Sequence, residues 1–349
     1  MGAVNGAKPN RLVRALAGEA LDPPPWWLMR QAGRYLPEYR ALREKAGDFI
    51  EFCLTPTLAA EATLQPVRRF GMDAAILFAD ILLVPRALGQ RLGFGDEGPV
   101  LEPVEETSDL RVLSPVGVSS LEPVYETVRL TRAGLSSETA LIGFAGAPWT
   151  VATYMVEGGG SRDFRRVKSW AYRDPAGFAA LLDLIGEATF SYLSGQIAAG
   201  VDAVQLFDSW AGVLPEKEFD RWVIAPTRQL VRRLKQNFPA TPVIGFPRGA
   251  GELYERYTAE TGVDAVGFDT VAPLEAARRL QGRVCVQGNL DPVMLLVGGP
   301  PLVEAVRAIR KALGEGPFVF NLGHGVLPQT PPENVAALAR LLAGPTNRE

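Results

Sequence analysis

The sequence predicts an α/β protein, a (β/α)8 barrel of the TIM type that forms a single domain. Short apolar runs rich in Val, Ile, Leu and Phe recur along the 349 residues, and longer segments with helical spacing separate them. Continuous apolar runs are typical of strands buried on both faces, as in parallel sheets. Eight strand–helix units fit a barrel at this length, with a doubly wound sheet as the alternative.

Eight runs carry the strand pattern. In chain order they are 26–30, 74–79, 141–146, 203–208, 242–247, 265–269, 284–289 and 318–323. The segments between them have the spacing of covering helices. Residues 176–200 have apolar residues at three- and four-residue steps and end on glycine, as do 253–262 and 274–282. We therefore expect each of these helices to stop at its glycine.

Two segments are longer than a minimal unit requires. Residues 30–49 form a basic insertion after the first strand, and 86–139 form an insertion with a turn-rich acidic part after the second. Insertions at the carboxyl ends of strands are where a barrel builds its active site. The single domain is predicted to span 1–349, with disordered ends at 1–10 and 345–349.

Composition excludes several classes of function. The chain has 36 basic and 39 acidic side chains, so it lacks the basic excess of a non-specific nucleic-acid binder. Its two cysteines, Cys53 and Cys285, form no pattern, which fits a reducing cytosol. With one histidine in the chain, a zinc site of the Cys/His type has almost nothing to be built from, so no metal is expected. No signal peptide or membrane span is evident, and we expect a cytoplasmic protein that does not contact a membrane.

Polar residues follow several predicted strands, as a barrel's catalytic face requires. They are Arg30, Asp80, Asp208, Ser209, Asp269, Asn289 and His324. Each alone is more often a cap or a turn residue. Seven polar residues in equivalent positions indicate a site more strongly than any one of them does.

The strongest local feature is the basic segment 23–43. Its four arginines are Arg30, Arg34, Arg40 and Arg43. Guanidinium groups bind carboxylates in a bidentate fork, so several of them at a barrel mouth suit a polycarboxylate ligand. Gly33 indicates positive φ or close backbone approach, and Pro37 an interrupted helix or a first turn. The alternative is a solvated basic helix face paired with Glu38 and Glu44, and it applies best to Arg40.

A second feature, 143–164, combines small residues with Tyr154 and the flexible turn 157–161, which could act as a gate. The alternative is a tightly packed barrel strand followed by a turn. In a third, His324 lies between two glycines directly after a predicted strand. Catalytic and structural roles for it are about equally supported. Thr330 is predicted to cap the following helix, with Pro331 or Pro332 in its first turn and Glu333 completing a capping box.

Together these motifs resemble the uroporphyrinogen decarboxylase family. The matching blocks are 30–43, 78–85, 143–161, 205–212 and 321–325, and they occur in family order across roughly residues 23–340. The resemblance implies a (β/α)8 barrel, a homodimer and cofactor-free conversion of uroporphyrinogen III to coproporphyrinogen III, in which four acetate side chains each lose CO2. Trp210 stands where some members have a histidine.

The resemblance also implies roles for individual residues. The implied catalytic residues are Asp80, Arg30, Tyr154 and His324. The implied substrate-binding residues are Arg30, Gln31, Ala32, Arg34, Arg43, Phe144, Tyr154, Phe207, Ser209 and His324. Asp80 would stabilise the cation that forms when a pyrrole carbon is protonated, and the arginines would orient carboxylates. Arg30 or a water that it holds, Tyr154 and His324 all remain possible proton donors.

Three other functions share part of this pattern. Zinc-dependent methyltransferases share the predicted fold, but their His-x-Cys ligand pair is absent around His324 and Cys285. A non-enzymatic tetrapyrrole carrier would keep the arginines without needing Asp80. A phosphate-binding barrel predicts a glycine-rich loop after the seventh or eighth strand, and 321–325 is a poor version of it.

Overall fold

A parallel seven-stranded sheet forms the centre of the protein in the computed structural model, which describes residues 9–95, 98–114 and 119–344. In chain order the strands are β1 (Ala74–Ile76), β2 (Leu92–Gly95), β3 (Gly98–Leu101), β4 (Ala140–Gly146), β5 (Ala203–Asp208), β6 (Val243–Pro247), β7 (Ala265–Gly267), β8 (Cys285–Leu290) and β9 (Phe318–Leu322). The sheet order is β1-β4-β5-β6-β7-β8-β9, and every neighbouring pair is parallel. The seven strands of this sheet are buried almost throughout, which explains their continuous apolar runs, whereas β2 and β3 pair separately.

The sheet closes through the segment predicted as the first strand. Trp26 forms one parallel bridge with Phe320 of β9, and the Phe320 N–H donates to the carbonyl of Pro25 at 2.9 Å. On the other side, the Asp73 N–H donates to the Trp26 carbonyl at 3.0 Å just before β1. The barrel prediction is confirmed, but a regular strand at 26–30 was wrong. Three prolines at 23–25 remove the backbone donors that would extend the pairing.

Sixteen helices of the described chain surround the sheet. They are α1 (Arg11–Leu16), α2 (Pro37–Arg43), α3 (Phe49–Leu54), α4 (Pro56–Phe70), α5 (Leu83–Ala87), α6 (Glu122–Gly134), α7 (Pro148–Glu157), α8 (Arg165–Arg173), α9 (Pro175–Ala199), α10 (Glu216–Phe219), α11 (Ala225–Asn237), α12 (Tyr254–Thr261), α13 (Leu274–Leu280), α14 (Pro292–Val297), α15 (Gly299–Leu313) and α16 (Pro332–Ala343). By length and composition α9 could cross a membrane, but half of its most apolar window is buried, and it packs on β4 and β5 as a covering helix.

The predicted helix ends were partly right. α9 and α12 stop at Gly200 and Gly262, both with positive φ, as expected. α13 instead ends at Gln281 in ordinary helical conformation, so Gly282 is not its stop. Thr330 does not cap α16, because the helix begins two residues later and Pro331 occupies the capping position. The Thr330 hydroxyl is buried without a hydrogen-bond partner.

The two insertions form additional structure beside the barrel mouth. Within 86–139, β2 and β3 form an antiparallel hairpin that the sequence analysis missed. It is tied to the end of α7, where the Leu101 N–H donates to the Gly158 carbonyl at 2.9 Å. Part of the acidic turn, residues 96–97, lies outside the described residues.

The basic insertion 30–49 contains α2, with Pro37 in its first turn as predicted. Gly33 has no positive φ, so that part of the prediction was wrong, and Arg30 has a φ of +55° instead. Gly33 lines the cavity described below, and close approach of its backbone to a ligand stays a prediction. At the chain ends, residues 1–8 and 345–349 lie outside the described residues. Asn10, which was expected to be disordered, is buried and caps α1 by accepting the Val13 N–H.

Candidate active site

A cavity of about 710 Å³ opens at the carboxyl ends of the barrel strands. Every residue to which the family resemblance assigns a role lines it: Arg30, Gln31, Ala32, Arg34, Arg43, Asp80, Phe144, Tyr154, Phe207, Ser209 and His324. Both insertions contribute to the wall, through Phe49 and through Phe94 of the hairpin. Parallel strands bring their carboxyl ends together, so residues distant in sequence meet here.

The cavity is strongly cationic. Four guanidinium groups line it, from Arg30, Arg34, Arg43 and Arg248, against a single lining carboxylate, Asp80. Within the described ranges none of the four forms an ion pair with a protein carboxylate. A set of unpaired cations in one concave site indicates an anionic ligand with several charges.

The alternative of a solvated helix face does not hold for three of the arginines in 23–43. Glu38 pairs with Arg69 of α4, at 2.9 Å, and not with an arginine of its own segment. Arg40 is the exception, since it does not line the cavity and donates to the Arg34 carbonyl at 2.7 Å. It therefore belongs to the surface and not to the cavity wall.

The segment that carries Arg30 is fixed by buried hydrogen bonds. The fully buried Gln31 side chain accepts from the Leu28 N–H at 3.2 Å and donates to the Ala74 carbonyl at 3.2 Å. Its amide group thus joins the segment to β1, and its contact with a ligand stays a prediction. Gly325 faces Arg30 so closely that a Cβ there would lie 2.9 Å from the Arg30 Cβ. The left-handed backbone at Arg30 is held in place by these contacts.

Asp80 follows β1 and presents one free oxygen. Its Oδ1 accepts the Leu82 N–H at 2.8 Å, and no described residue donates to its Oδ2. Burial raises the pKa of Asp80 to about 6, although the Leu82 hydrogen bond and the charge of Arg30 act in the opposite direction. At neutral pH the carboxylate is mostly ionised and its second oxygen can accept a hydrogen bond from a ligand.

Tyr154 and His324 approach the same region as uncharged groups. Burial raises the pKa of the Tyr154 hydroxyl, which keeps its proton. His324 Nδ1 accepts the Gly325 N–H at 2.8 Å, which assigns the ring proton to Nε2. Burial, and then the charges of Arg248 and Arg30, lower the His324 pKa to about 4. The imidazole is therefore neutral at physiological pH.

Aromatic rings supply the apolar part of the wall. Phe144 and Phe207 meet edge to face with ring centroids 5.5 Å apart. Phe94 of the hairpin packs against Phe49 of the basic insertion, with ring centroids 4.8 Å apart. Apolar faces beside unpaired cations suit a flat or cupped ring system that carries carboxylates at its rim.

Three strand-end residues prove to be structural. Asp208 is buried and accepts from the Thr150 hydroxyl, and Asp269 accepts from the Gly249 N–H and the Tyr254 hydroxyl. Asn289 donates to the carbonyls of Asp269 and Ala272. None of the three lines the cavity. They hold the loops at the strand ends.

Arg248 is the residue that the sequence analysis missed. It directly follows β6, as Ser209 directly follows β5. The signal is its place directly after the strand predicted at 242–247. The predicted gate at 157–161 is tied to β3 through Gly158, and its motion stays a prediction.

Comparisons with known proteins agree on one family. The family model described as uroporphyrinogen decarboxylase (URO-D) matches residues 7–343. The chain belongs to the uroporphyrinogen decarboxylase family. The uroporphyrinogen decarboxylase of Rhodospirillum rubrum is 58% identical over 95% of this chain and 97% of its own length. That of Rhizorhabdus wittichii is 58% identical over 97% of both chains.

Solved structures with lower identity show the fold of this decarboxylase family member. A methyltransferase from Methanosarcina mazei superposes with a TM-score of 0.76 at 21% identity, covering 95% of this chain and 97% of its own. A B12-independent methionine synthase from Shewanella sp. W3-18-1 gives 0.54 at 12% identity, covering 82% and 88% of the two chains. Within residues 9–95, 98–114 and 119–344, no three His, Cys, Asp or Glu side chains are grouped so as to hold a metal ion.

Proposed function

We propose that this chain decarboxylates the four acetate side chains of uroporphyrinogen III, without a cofactor, to give coproporphyrinogen III in haem biosynthesis. The observation that carries the proposal is the set of four unpaired guanidinium groups around one carboxylate in a cavity with aromatic walls. It fits a macrocycle whose rim carries many carboxylates. Membership of the family supplies the reaction.

The substrate itself supplies the electron sink for the reaction. A proton added to a pyrrole α-carbon makes the ring an iminium cation next to the acetate. The bond between the acetate CH2 and its carboxylate then breaks, CO2 leaves, and the electron pair moves into the ring and neutralises it. A proton adds to the exocyclic carbon and the α-carbon proton is lost. The decarboxylation of each acetate thus converts CH2COO⁻ and one proton into a methyl group and CO2.

Asp80 stabilises the cation in this sequence. Its free Oδ2 accepts hydrogen bonds from pyrrole N–H groups, and its negative charge becomes more favourable as the ring becomes an iminium. Because the carboxylate is fixed by the Leu82 N–H, little reorganisation is needed as charge develops. Arg30, Arg34 and Arg43 hold carboxylates, and Phe144 and Phe207 pack against the macrocycle. Ser209 offers a hydroxyl to the ligand from the end of β5.

The proton donor is an uncharged side chain or a bound water. His324 is neutral, so its Nε2–H serves better as a hydrogen-bond donor than as an acid. Tyr154 keeps its proton, and a water held by Arg30 is a further source. Replacing each candidate in turn and measuring the pH dependence of the rate would distinguish the three.

We also propose that the protein is a cytoplasmic homodimer that binds neither nucleic acid nor a membrane. The family resemblance supports the dimer, and the slight acidic excess of 39 over 36 charged side chains opposes nucleic-acid binding. Light scattering tests the dimer, for which we expect twice the mass of one chain. The mass of a single chain at micromolar concentration contradicts it.

Turnover of the substrate is the direct test. The purified protein, treated with chelator, is incubated with uroporphyrinogen III under anaerobic conditions, and the oxidised products are separated by chromatography. We expect porphyrins with seven, six, five and finally four carboxylates. Unchanged substrate from a folded preparation contradicts the proposal and favours a tetrapyrrole carrier. Activity that disappears with chelator and returns with zinc contradicts the absence of a cofactor.

A further inference from the structure

Arg248 reaches the cavity from a wall that the other arginines do not share. Around the barrel, the segment 25–27 occupies one position and the seven strands of the sheet occupy the other seven. Counting from that segment, β6 is the fifth of eight positions, so it lies on the opposite side of the ring. Arg30 and Arg34 follow the first position and Arg248 follows the fifth. The cavity therefore has cations on two facing walls.

The backbone of Arg248 is held firmly. Its N–H donates to the Asp208 carbonyl at 3.1 Å, and its carbonyl accepts the Gly212 N–H at 2.9 Å. The next residue, Gly249, has a φ of +77° and donates its N–H to Asp269. A Cβ on Gly212 would lie 2.3 Å from the Gly249 carbonyl oxygen, so the two turns touch through backbone alone. The buried residues Asp208 and Asp269 thus act to position Arg248.

The Arg248 side chain has no anionic partner among the residues described. It forms none of the ion pairs of that part of the chain, yet it is half-buried in the cavity wall. A half-buried guanidinium has lost part of its hydration, and an anion from a ligand would compensate for it. By contrast, Arg228 and Arg233 on the outer face of the barrel each pair with a glutamate.

The four cations divide along the cavity. The charges of Arg34 and Arg43 act on Tyr39, and that of Arg248 acts on His324 and Tyr154. The charge of Arg30 acts on all three. Arg248 and Arg30 therefore lie near Tyr154 and His324, and the order of the strands places them on opposite walls. Arg34 and Arg43 belong to the basic insertion and lie near Tyr39.

We propose that Arg248 is a substrate-binding residue that holds a carboxylate of the tetrapyrrole from the β6 wall, next to Tyr154 and His324. This inference rests on the proposed function for the identity of the ligand. A macrocycle with carboxylates around its whole rim needs cations on more than one wall of the cavity. Among the described residues, Arg248 supplies the cation on the wall opposite Arg30 and Arg34. Its position beside the proposed reacting groups makes it an anchor for an acetate at or near the site of reaction.

Three variants test the proposal. Arg248→Gln removes the charge and keeps hydrogen-bonding capacity, Arg248→Lys keeps the charge, and Arg232→Gln removes an exposed arginine of α11 outside the cavity. Binding of oxidised uroporphyrin III, an unreactive octacarboxylate, is followed by fluorescence, and kcat and KM are measured with uroporphyrinogen III. We expect Arg248→Gln to weaken binding and lower kcat/KM by roughly 10- to 100-fold. Arg248→Lys should be intermediate and Arg232→Gln unchanged.

The single histidine gives an independent readout of the same charge. Proton NMR of His324, the one histidine in the chain, reports its pKa without assignment work. Removing the nearby positive charge should raise that pKa in Arg248→Gln and leave it nearly unchanged in Arg248→Lys and Arg232→Gln. If Arg248→Gln binds uroporphyrin and turns over substrate like the wild type, the proposal is overturned. A wild-type protein that binds uroporphyrin through Arg248 but does not decarboxylate uroporphyrinogen contradicts the proposed function alone.

Discussion

Asp80 concentrates the proposed chemistry in a single side chain. Asp80→Asn keeps the shape of the group, and its amide oxygen can still accept the Leu82 N–H, while the negative charge beneath the pyrroles disappears. We expect kcat to fall by ~10²–10³-fold, the effect of removing one preorganised charge partner of a transition state. Asp183→Asn, an exposed carboxylate on α9, is the matched control. An Asp80→Asn enzyme that kept most of its rate would contradict the assigned role.

The pH profile of the enzyme tests the same residue in another way. Because the reaction needs ionised Asp80, kcat/KM should rise with pH as the carboxyl loses its proton, with a midpoint near its pKa of about 6. This limb should be absent in Asp80→Asn. A wild-type profile without any change around pH 6 contradicts the requirement for the ionised form.

The raised pKa of Asp208 should affect the stability of the protein. Burial raises its pKa to about 7, and its Oδ2 has no hydrogen-bond partner. Below pH 3.8 the carboxyl is protonated in both the folded and the unfolded chain. As pH rises towards 7, the unfolded chain loses this proton first, so the group lowers the free energy of unfolding by up to ~1.4 kcal/mol per pH unit.

Asp208→Asn removes that titration. We expect the stability of the variant, relative to the wild type, to increase between pH 4 and pH 7 in urea unfolding experiments. The change should level off above the folded-state pKa. A constant difference between the two proteins across this range contradicts a raised pKa at Asp208.

At the scale of elements, the hairpin β2–β3 extends the cavity wall. Phe94 contacts Phe49 at 4.8 Å, although 38% of the Phe94 side chain is exposed. Phe94→Ser should raise KM for uroporphyrinogen by roughly 2- to 10-fold, the value of one aromatic contact, with little change in melting temperature. Val100→Ser alters an exposed residue of β3 that does not line the cavity, and it serves as the control. Equal KM values for both variants contradict a contribution of the hairpin to binding.

The elements also show what could be predicted from the sequence. Strands buried on both faces, and α9 with its glycine stop, are set by local composition and were predicted within a few residues. The hairpin was missed because β2 and β3 are short, glycine-containing and largely exposed, so they lack an apolar run. Thr330 failed as a cap because a capping motif fixes the start of a helix only to within a residue or two.

The site was more predictable than the loops that hold it. Arg30, Asp80 and His324 stand at strand ends and in motifs of the family, and the structure brings them to one cavity. Arg248 directly follows β6, but it lies in a segment without such a motif. Asp208 and Asp269 could not be separated from site residues by sequence, because whether a strand-end carboxylate faces the cavity or a neighbouring turn depends on tertiary packing.

At the scale of the whole molecule, the barrel is closed by few interactions. Asp73 accepts the Trp26 N–H at 2.9 Å through Oδ2 and the Arg11 guanidinium at 3.0 Å through Oδ1. Its backbone also bridges the two sides, because its N–H donates to the Trp26 carbonyl and its own carbonyl accepts the Ala140 N–H of β4. The closing segment continues directly to Arg30, so closure of the barrel and assembly of the site depend on the same residues.

Asp73→Ala should therefore destabilise the molecule as a unit. Loss of a charged hydrogen-bond acceptor at the closure is expected to lower the free energy of unfolding by about 1.5–3 kcal/mol, whereas Glu304→Ala, an exposed carboxylate on α15, should change it by less than about 0.5 kcal/mol. Tryptophan fluorescence reports in part on Trp26 and Trp27 in the closing segment, and circular dichroism reports on the helices around the whole barrel. If the chain folds as one domain, both signals change at the same urea concentration in the variant as in the wild type. A fluorescence change that precedes the loss of helix would show instead that the closing segment, and Arg30 with it, detaches while the rest of the barrel stays folded.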